Sequence, residues 1–182
     1  HGVTGSGKTE VYLRLIERAL AAGRQSLLLV PEINLTPQLE ARIAARFPAA
    51  GLVSLHSELG EAARSRNWRA ALNGEARIVV GTRLAVFPPL PEIGLIVVDE
   101  EHDASFKQQD GIRYSARDLA VFRARDRGIP IVLGSATPSL ESWANASGSD
   151  TSGRYRLLTL RGRAVDGARL PLVRCIDTRV DK

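Results

Sequence analysis

Two short segments hold the residue types that a magnesium nucleotide requires. Gly2-Val3-Thr4-Gly5-Ser6-Gly7-Lys8-Thr9 fits the pattern of a glycine, four residues and then Gly-Lys-Thr. Its glycines let successive backbone N–H groups face an anion at the positive end of a following helix. Gly2, Thr4, Gly5, Ser6, Gly7, Lys8 and Thr9 are therefore the expected phosphate cradle. Within it Lys8 would neutralise the β and γ phosphates, and the Thr9 hydroxyl would ligate Mg2+. The second segment, Leu95-Ile96-Val97-Val98-Asp99-Glu100-Glu101-His102, is an apolar run that ends in adjacent carboxylates. At the carboxyl end of a strand, Asp99 would hold the metal. Glu100 would orient and deprotonate an attacking water. A glycine-rich turn before an ordinary helix and a solvated acidic loop are the plainer readings; the two segments together outweigh both. The expected chemistry is hydrolysis of ATP or GTP.

These residues need a scaffold, and the hydrophobic pattern supplies one. Short β-rich runs alternate with longer amphipathic stretches. Lys8 to Ala22 reads as a helix with Val11, Leu15, Ile16 and Ala19 on its apolar face, ended by Gly23. Leu27–Val30 reads as a buried strand stopped by Pro31. Thr36 is a good N-cap, with Pro37 at the first helical position, for a helix to about Phe47. Strands are expected at Leu52–Leu55, Arg77–Val80, Ile93–Val98 and Ile129–Leu133. Helices are expected at Glu61–Leu72 and, after a long loop, at Ala116–Arg127, ended by Gly128. Nearly continuous apolar strands separated by helices predict an α/β fold whose parallel sheet is covered on both faces. Residues 145–153 read as an exposed polar loop, with further strands at Arg156–Leu160 and Leu172–Ile176. Trp68 and Trp143, in predicted helices, are expected to be packing anchors. The phosphate loop begins at the second residue, so the strand that should feed it is not in the sequence. A gap in the sheet or a loosened loop is the expected consequence.

Composition excludes several classes. The chain has 182 residues, 44% hydrophobic and 25% charged, as in an ordinary soluble domain. No apolar run approaches a membrane span, and no signal peptide is evident. Cys175 is the single cysteine, which excludes an internal disulfide or a cysteine-rich zinc site; it reads as a small residue in an apolar strand. The three histidines are scattered, without metal-ligand spacing. A reducing cytoplasm is the expected compartment. There is no methionine, even at position 1, so the chain is expected to be a fragment. The net charge of +5 resides in residues 154–182, which carry eight basic and three acidic side chains. The remainder is balanced, so net charge alone is weak evidence for nucleic acid.

The partner is indicated by further motifs. Gly134-Ser135-Ala136-Thr137-Pro138 follows a strand and resembles the Ser-Ala-Thr motif of superfamily 2 helicases. Val30-Pro31-Glu32-Ile33-Asn34-Leu35-Thr36-Pro37-Gln38 resembles their motif Ia, and Val80-Gly81-Thr82-Arg83 their motif Ib. The stretch from Asp99 to Gly111, followed by Arg113-Tyr114-Ser115-Ala116-Arg117-Asp118-Leu119-Ala120, resembles the bacterial primosomal protein N′ (PriA) family of replication-restart helicases. The resemblance runs from Gly2 to at least Glu141. It implies the first RecA-like lobe of an ATP-dependent 3′→5′ DNA helicase, a three-layer lobe over residues 1–146. Residues 147–182 would form a polar loop and basic exit segment toward a second lobe. The implied cofactors are ATP and Mg2+. The implied partners are single-stranded and forked DNA, the second lobe with its arginine finger, a 3′-end-binding domain, other primosome proteins and single-strand-binding protein; no membrane is implied.

The same resemblance gives His102, Ser135 and Thr137 the task of coupling the nucleotide site to movement. Thr36 at a helix N-terminus, with Gln38 beside it, and Thr82 with Arg83 after a strand could bind DNA phosphates without reading bases. N-capping and a surface ion pair are the alternatives for Thr36 and Arg83. The segment 104–114 resembles the family's aromatic-rich loop. Phe106, Lys107, Arg113 and Tyr114 would meet DNA there, the two rings by stacking at ~1–3 kcal/mol per base; a core role is the alternative for Phe106. Ile112 stands where some relatives carry a third aromatic. Two other functions fit the motifs less well: a different superfamily 2 DNA translocase, and a nucleotide-responsive DNA-binding module without turnover. Glu100 argues against the module, because a pure binder needs no base.

Overall fold

The computed structural model describes residues 1–147, 155–162 and 164. In chain order the elements are α1 (Lys8–Ala21), β1 (Gln25–Leu29), α2 (Pro37–Arg46), β2 (Leu52–Leu55), α3 (Glu61–Leu72) and β3 (Ile78–Gly81). There follow β4 (Ile93–Asp99), a small antiparallel hairpin of β5 (Lys107–Gln108) and β6 (Tyr114–Ser115), α4 (Ala116–Arg127), β7 (Ile131–Gly134) and α5 (Leu140–Ser147). Five strands make one parallel sheet in the order β2-β3-β1-β4-β7. Its register sets Leu29 beside Val98 and Gly81, and Asp99 beside Gly134, so the strand ends that carry chemistry lie side by side.

Alternation along the strands divides the core in two. Leu27, Leu29, Val79, Ile96 and Val98 face α4 and the 3-10 turn Arg83–Val86, with Phe106 and Ala120 in the same cluster. Leu28, Val30, Ile78, Val80, Leu95 and Val97 face the opposite way and pack with Tyr12, Leu13 and Ile16 of α1 and Ile43 of α2. A strand covered on both sides has no polar face to spare, which is why these runs read as continuously apolar. The helix ends follow local chemistry. The Thr36 hydroxyl accepts the Leu39 N–H at 3.3 Å and Pro37 opens α2. Gly128 closes α4 in the left-handed region at φ 62°.

Several expectations need correction. The buried face of α1 is Tyr12, Leu13 and Ile16, whereas Val11 is exposed and Leu15 and Ala19 are only partly buried. The reason is that Val11 borders a cavity instead of the sheet. β1 starts earlier than its apolar run. Gln25 is fully buried there because its side chain donates to the carbonyls of Ala71 and Ala76 and accepts from Glu92 N–H. Arg156–Leu160 is not a strand of the sheet; only Leu160 pairs, in a single parallel bridge to Gly2. The expected loop at 145–153 is helical as far as Ser147. Trp68 and Trp143 are not core anchors: they are 36% and 43% exposed, and Trp143 meets the His1 ring edge-on at 5.9 Å. Leu172–Ile176, Cys175 and most of the basic exit segment lie outside the described residues.

Beyond β7 the described residues form no further strand. A cavity of about 960 Å3 runs there between β7, α1 and the segment 155–160. Gly2 closes its end, donating to Ser135 O at 3.1 Å while Leu160 N–H donates to His1 O at 2.8 Å. The phosphate loop is not loosened: it is folded, pinned at Gly2 and by Ser6 N–H on Val3 O at 3.0 Å.

Candidate nucleotide site and its neighbours

The cradle begins where β7 ends. Gly5 and Gly7 adopt φ of 79° and 89°, a left-handed backbone open to glycine, and Gly7 caps α1 so that Lys8 and Thr9 occupy its first turn. Lys8 Nζ donates to Gly2 O at 3.0 Å and lies 3.4 Å from Glu100 Oε1. Asp99 is the last residue of β4, and Glu100 follows at φ 45°. A left-handed glutamate is uncommon, and such strain persists where surrounding contacts fix it. The structure therefore gathers Lys8, Asp99 and Glu100 beside the loop.

A residue that periodicity missed completes this corner. Tyr12, one turn along α1 from Lys8, donates its phenol to Asp99 Oδ1 at 2.9 Å. Burial first, and then the charges of Asp99 and Glu100, push the phenol pKa upward, so Tyr12 remains a donor. Burial likewise raises the Asp99 carboxyl, against the lowering bond from Tyr12. Tyr12 approaches so closely that a Cβ at position 134 would collide with its hydroxyl, which explains the glycine there. The readable signal was Gly134 at a strand end opposite a helix.

The residues present fit a magnesium nucleotide. The glycine cradle is open at Gly5, and the buried Ser6 Oγ has no hydrogen-bond partner there. Among the described residues no group of three or more His, Cys, Asp or Glu could hold a metal unaided. A magnesium ion would thus depend on Thr9 and Asp99 together with phosphate oxygens. Ala164 donates its N–H to Gly5 O at 2.9 Å and borders the cradle at Gly7.

His102 links this corner to the end of β7. One ring nitrogen, Nδ1, is 2.8 Å from Ser135 Oγ, and Nε2 is 3.2 Å from Thr137 Oγ1. Ser135 Oγ also accepts Thr137 N–H at 2.9 Å, which closes a small ring around the motif. Between Glu100 and His102, Glu101 points the other way. Its buried carboxylate accepts Ser139 N–H at 2.7 Å and the Ser139 and Ser142 hydroxyls at 3.1 and 2.9 Å, and pairs with Arg117 at 3.2 Å. Burial alone would raise its pKa, but these donors hold it below the ordinary glutamate value. Neither Glu101 nor Arg117 carried a role in the sequence reading.

The expected DNA contacts divide. Gln38, Lys107 and Arg113 are exposed. Thr36 is half-buried, its hydroxyl engaged as the α2 cap. Two are corrected. Phe106 is 1% exposed and packs in the core with Ala116 and Ala120, because its 3-10 turn folds the ring beneath the hairpin. Thr82 is 2% exposed, its N–H bound to Leu55 O and its hydroxyl buried without a partner, so its side chain cannot reach a phosphate. Tyr114 is half-buried and meets Phe87 edge-on at 4.9 Å. Phe87, 47% exposed and overlooked in the sequence, is the more accessible ring of that pair. Arg83 joins three segments: it donates to Gln108 Oε1 at 2.8 Å, Glu32 Oε1 at 3.0 Å and Ser105 O at 3.3 Å.

Residues 1–146 match the DEAD/DEAH box helicase family. The chain is 46% identical to the replication restart protein PriA of Bacillus subtilis over 179 residues, covering 98% of this chain and 22% of that protein. It is 50% identical to the PriA of Haemophilus influenzae over 163 residues, 90% of this chain and 22% of that protein. It is 48% identical to the PriA of Synechocystis sp. over all 182 residues, again 22% of that protein. The chain thus spans about a fifth of the length of these relatives. Among solved structures, RecG bound to a three-way DNA junction shares the fold with a TM-score of 0.58 at 23% identity, over 87% of this chain and 20% of that one.

Proposed function

This chain belongs to the DEAD/DEAH box helicase family, and from that premise we propose that it is the nucleotide-holding lobe of a replication-restart DNA helicase. The observation that carries the reading is the His102 bridge. It runs from Glu100 Oε2, 3.7 Å from His102 Nδ1, to Ser135 and Thr137, a connection that plain nucleotide binding does not require. The reading assigns residues 1–146 to the lobe and 147–182 to an exit segment leading to a second lobe. It places 3′→5′ translocation on forked or single-stranded DNA in the whole protein, in the cytoplasm, with primosome proteins and single-strand-binding protein as partners.

The chemistry follows from groups already in place. Lys8 exchanges Gly2 O and Glu100 for the nucleotide phosphates, which releases Glu100 to accept a proton from the attacking water. Magnesium, when bound, neutralises charge that builds on the phosphate oxygens. Tyr12 keeps one Asp99 oxygen oriented, and Asp99 with Thr9 would hold the metal. His102 passes the change to Ser135 and Thr137, and Gln38, Arg83, Lys107, Arg113 and Tyr114 form the DNA-facing side.

Glu100→Gln in the intact protein tests this. Hydrolysis should fall by about 10²–10⁴-fold, while ATP binding, measured with a fluorescent analogue, is retained. Undiminished hydrolysis would remove Glu100 from its role, and unchanged biological activity without turnover would favour a nucleotide-responsive binding module.

A further inference from the structure

Three consecutive residues after β4 reach in three directions. Glu100 meets Lys8, His102 meets Ser135 and Thr137, and Glu101 between them meets α4 and the start of α5. Glu101 is 3% exposed and its carboxylate is held by four donors, Ser139 N–H, the Ser139 and Ser142 hydroxyls and Arg117, while its own backbone N–H donates to Gly134 O at 3.0 Å and fixes its main chain as well. Arg117 stands in the first turn of α4, two residues beyond β6. It also donates to Ser139 Oγ at 3.0 Å and to Glu141 at 2.6 Å. A buried carboxylate with this many fixed donors has no slack, so displacement of Arg117 must displace Glu101 and the main chain on both sides of it.

We propose that Glu101 and Arg117 are a positioning pair that transmits movement of the β5–β6 hairpin to Glu100 and His102. The proposal rests on the motor reading above. A strand of DNA lying on Lys107, Arg113 and Tyr114 tilts the hairpin, and β6 runs without interruption into α4 and Arg117. Through Glu101 that tilt reaches the left-handed backbone of Glu100 on one side and the His102 ring on the other. Because Glu101 also holds Ser139, two residues past Thr137, the same shift moves both ends of the Ser135–Thr137 motif. The pair touches neither nucleotide nor DNA.

The test is ATP turnover by the intact protein, with and without single-stranded DNA, for Glu101→Gln, Arg117→Met and the double variant. Transmission predicts basal turnover and DNA affinity close to wild type, with DNA stimulation reduced about 10-fold or more. In the double variant no buried charge is stranded, so its Tm recovers toward wild type while stimulation stays low. A pair that merely braces α5 gives the opposite result: stimulation returns with Tm, and the proposal is overturned. Glu101→Gln keeps the shape and an acceptor for Ser139 N–H, so it decides the matter even if the other variants fold poorly; full stimulation there is also contrary. A wild-type protein that DNA does not stimulate would overturn the motor reading and this pair with it, whereas a stimulated wild type with unaffected variants removes the pair alone.

Discussion

At the residue scale, the groups of the proposed nucleotide corner are already partnered within the chain. Lys8 is paired with Glu100, and Asp99 is partly desolvated with its pKa raised. A carboxylate whose folded pKa is raised costs stability above that value, and the cost vanishes below its ordinary pKa of 3.8. Asp99→Asn should therefore raise Tm at neutral pH while abolishing hydrolysis; a lowered Tm would contradict this account of Asp99. Tyr12→Phe should cost about 1 kcal/mol in urea unfolding and weaken the magnesium dependence of turnover. Identical magnesium titrations for the variant and wild type would show that the phenol does not orient Asp99. Glu101 has the reverse sign: its lowered pKa makes its contribution complete above the ordinary value of 4.5 and lost as pH falls through the lower folded value. The Tm difference between wild type and Glu101→Gln should accordingly shrink in acid. That Lys8, Asp99, Glu100 and His102 lie close together was legible because motif spacing along the chain carries it. Tyr12 and Glu101 were not legible, because their partners, 87 and 38 residues away, are set by the sheet.

At the element scale, the strands and helices followed their hydrophobic periods closely where both neighbours were regular. α3 and α4 have the bounds expected from pattern and caps, with Gly128 as the stop. Periodicity failed where tertiary contacts overrode it: α1 turns Tyr12 and Leu13 inward because one side of it borders the cavity, and Gln25 enters β1 only because three backbone groups satisfy it. The segment 104–114 read as an aromatic-rich loop with a core role for Phe106 as the alternative; a 3-10 turn and two-residue strands leave no periodic signal that could decide between the two. Thr36→Ala should cost about 1 kcal/mol of stability through loss of the α2 cap, and Thr36→Ser should restore it. If Thr36→Ala instead leaves stability unchanged and weakens DNA binding, the hydroxyl serves DNA more than the helix. Gly134→Ala must push Tyr12 aside and so should mimic and exceed Tyr12→Phe.

At the scale of the whole molecule, the basic excess lies in residues 154–182, whereas the groups proposed to face DNA lie on the balanced part. On the proposed reading, recognition would depend on where Arg83, Lys107 and Arg113 sit and not on net charge. Two helical layers hold the strand ends in register, and that register brings Asp99, Gly134 and Ser135 to one end of the sheet. The central claim is that this lobe holds the chemistry of a motor whose turnover needs a second lobe. Its most direct test is ATP turnover by the 182-residue chain alone and by the intact protein, each with single-stranded DNA. The account predicts DNA-stimulated hydrolysis by the intact protein and turnover lower by ~10³–10⁵ for the chain alone, the range an arginine finger supplies. Robust DNA-stimulated hydrolysis by the chain alone would contradict it.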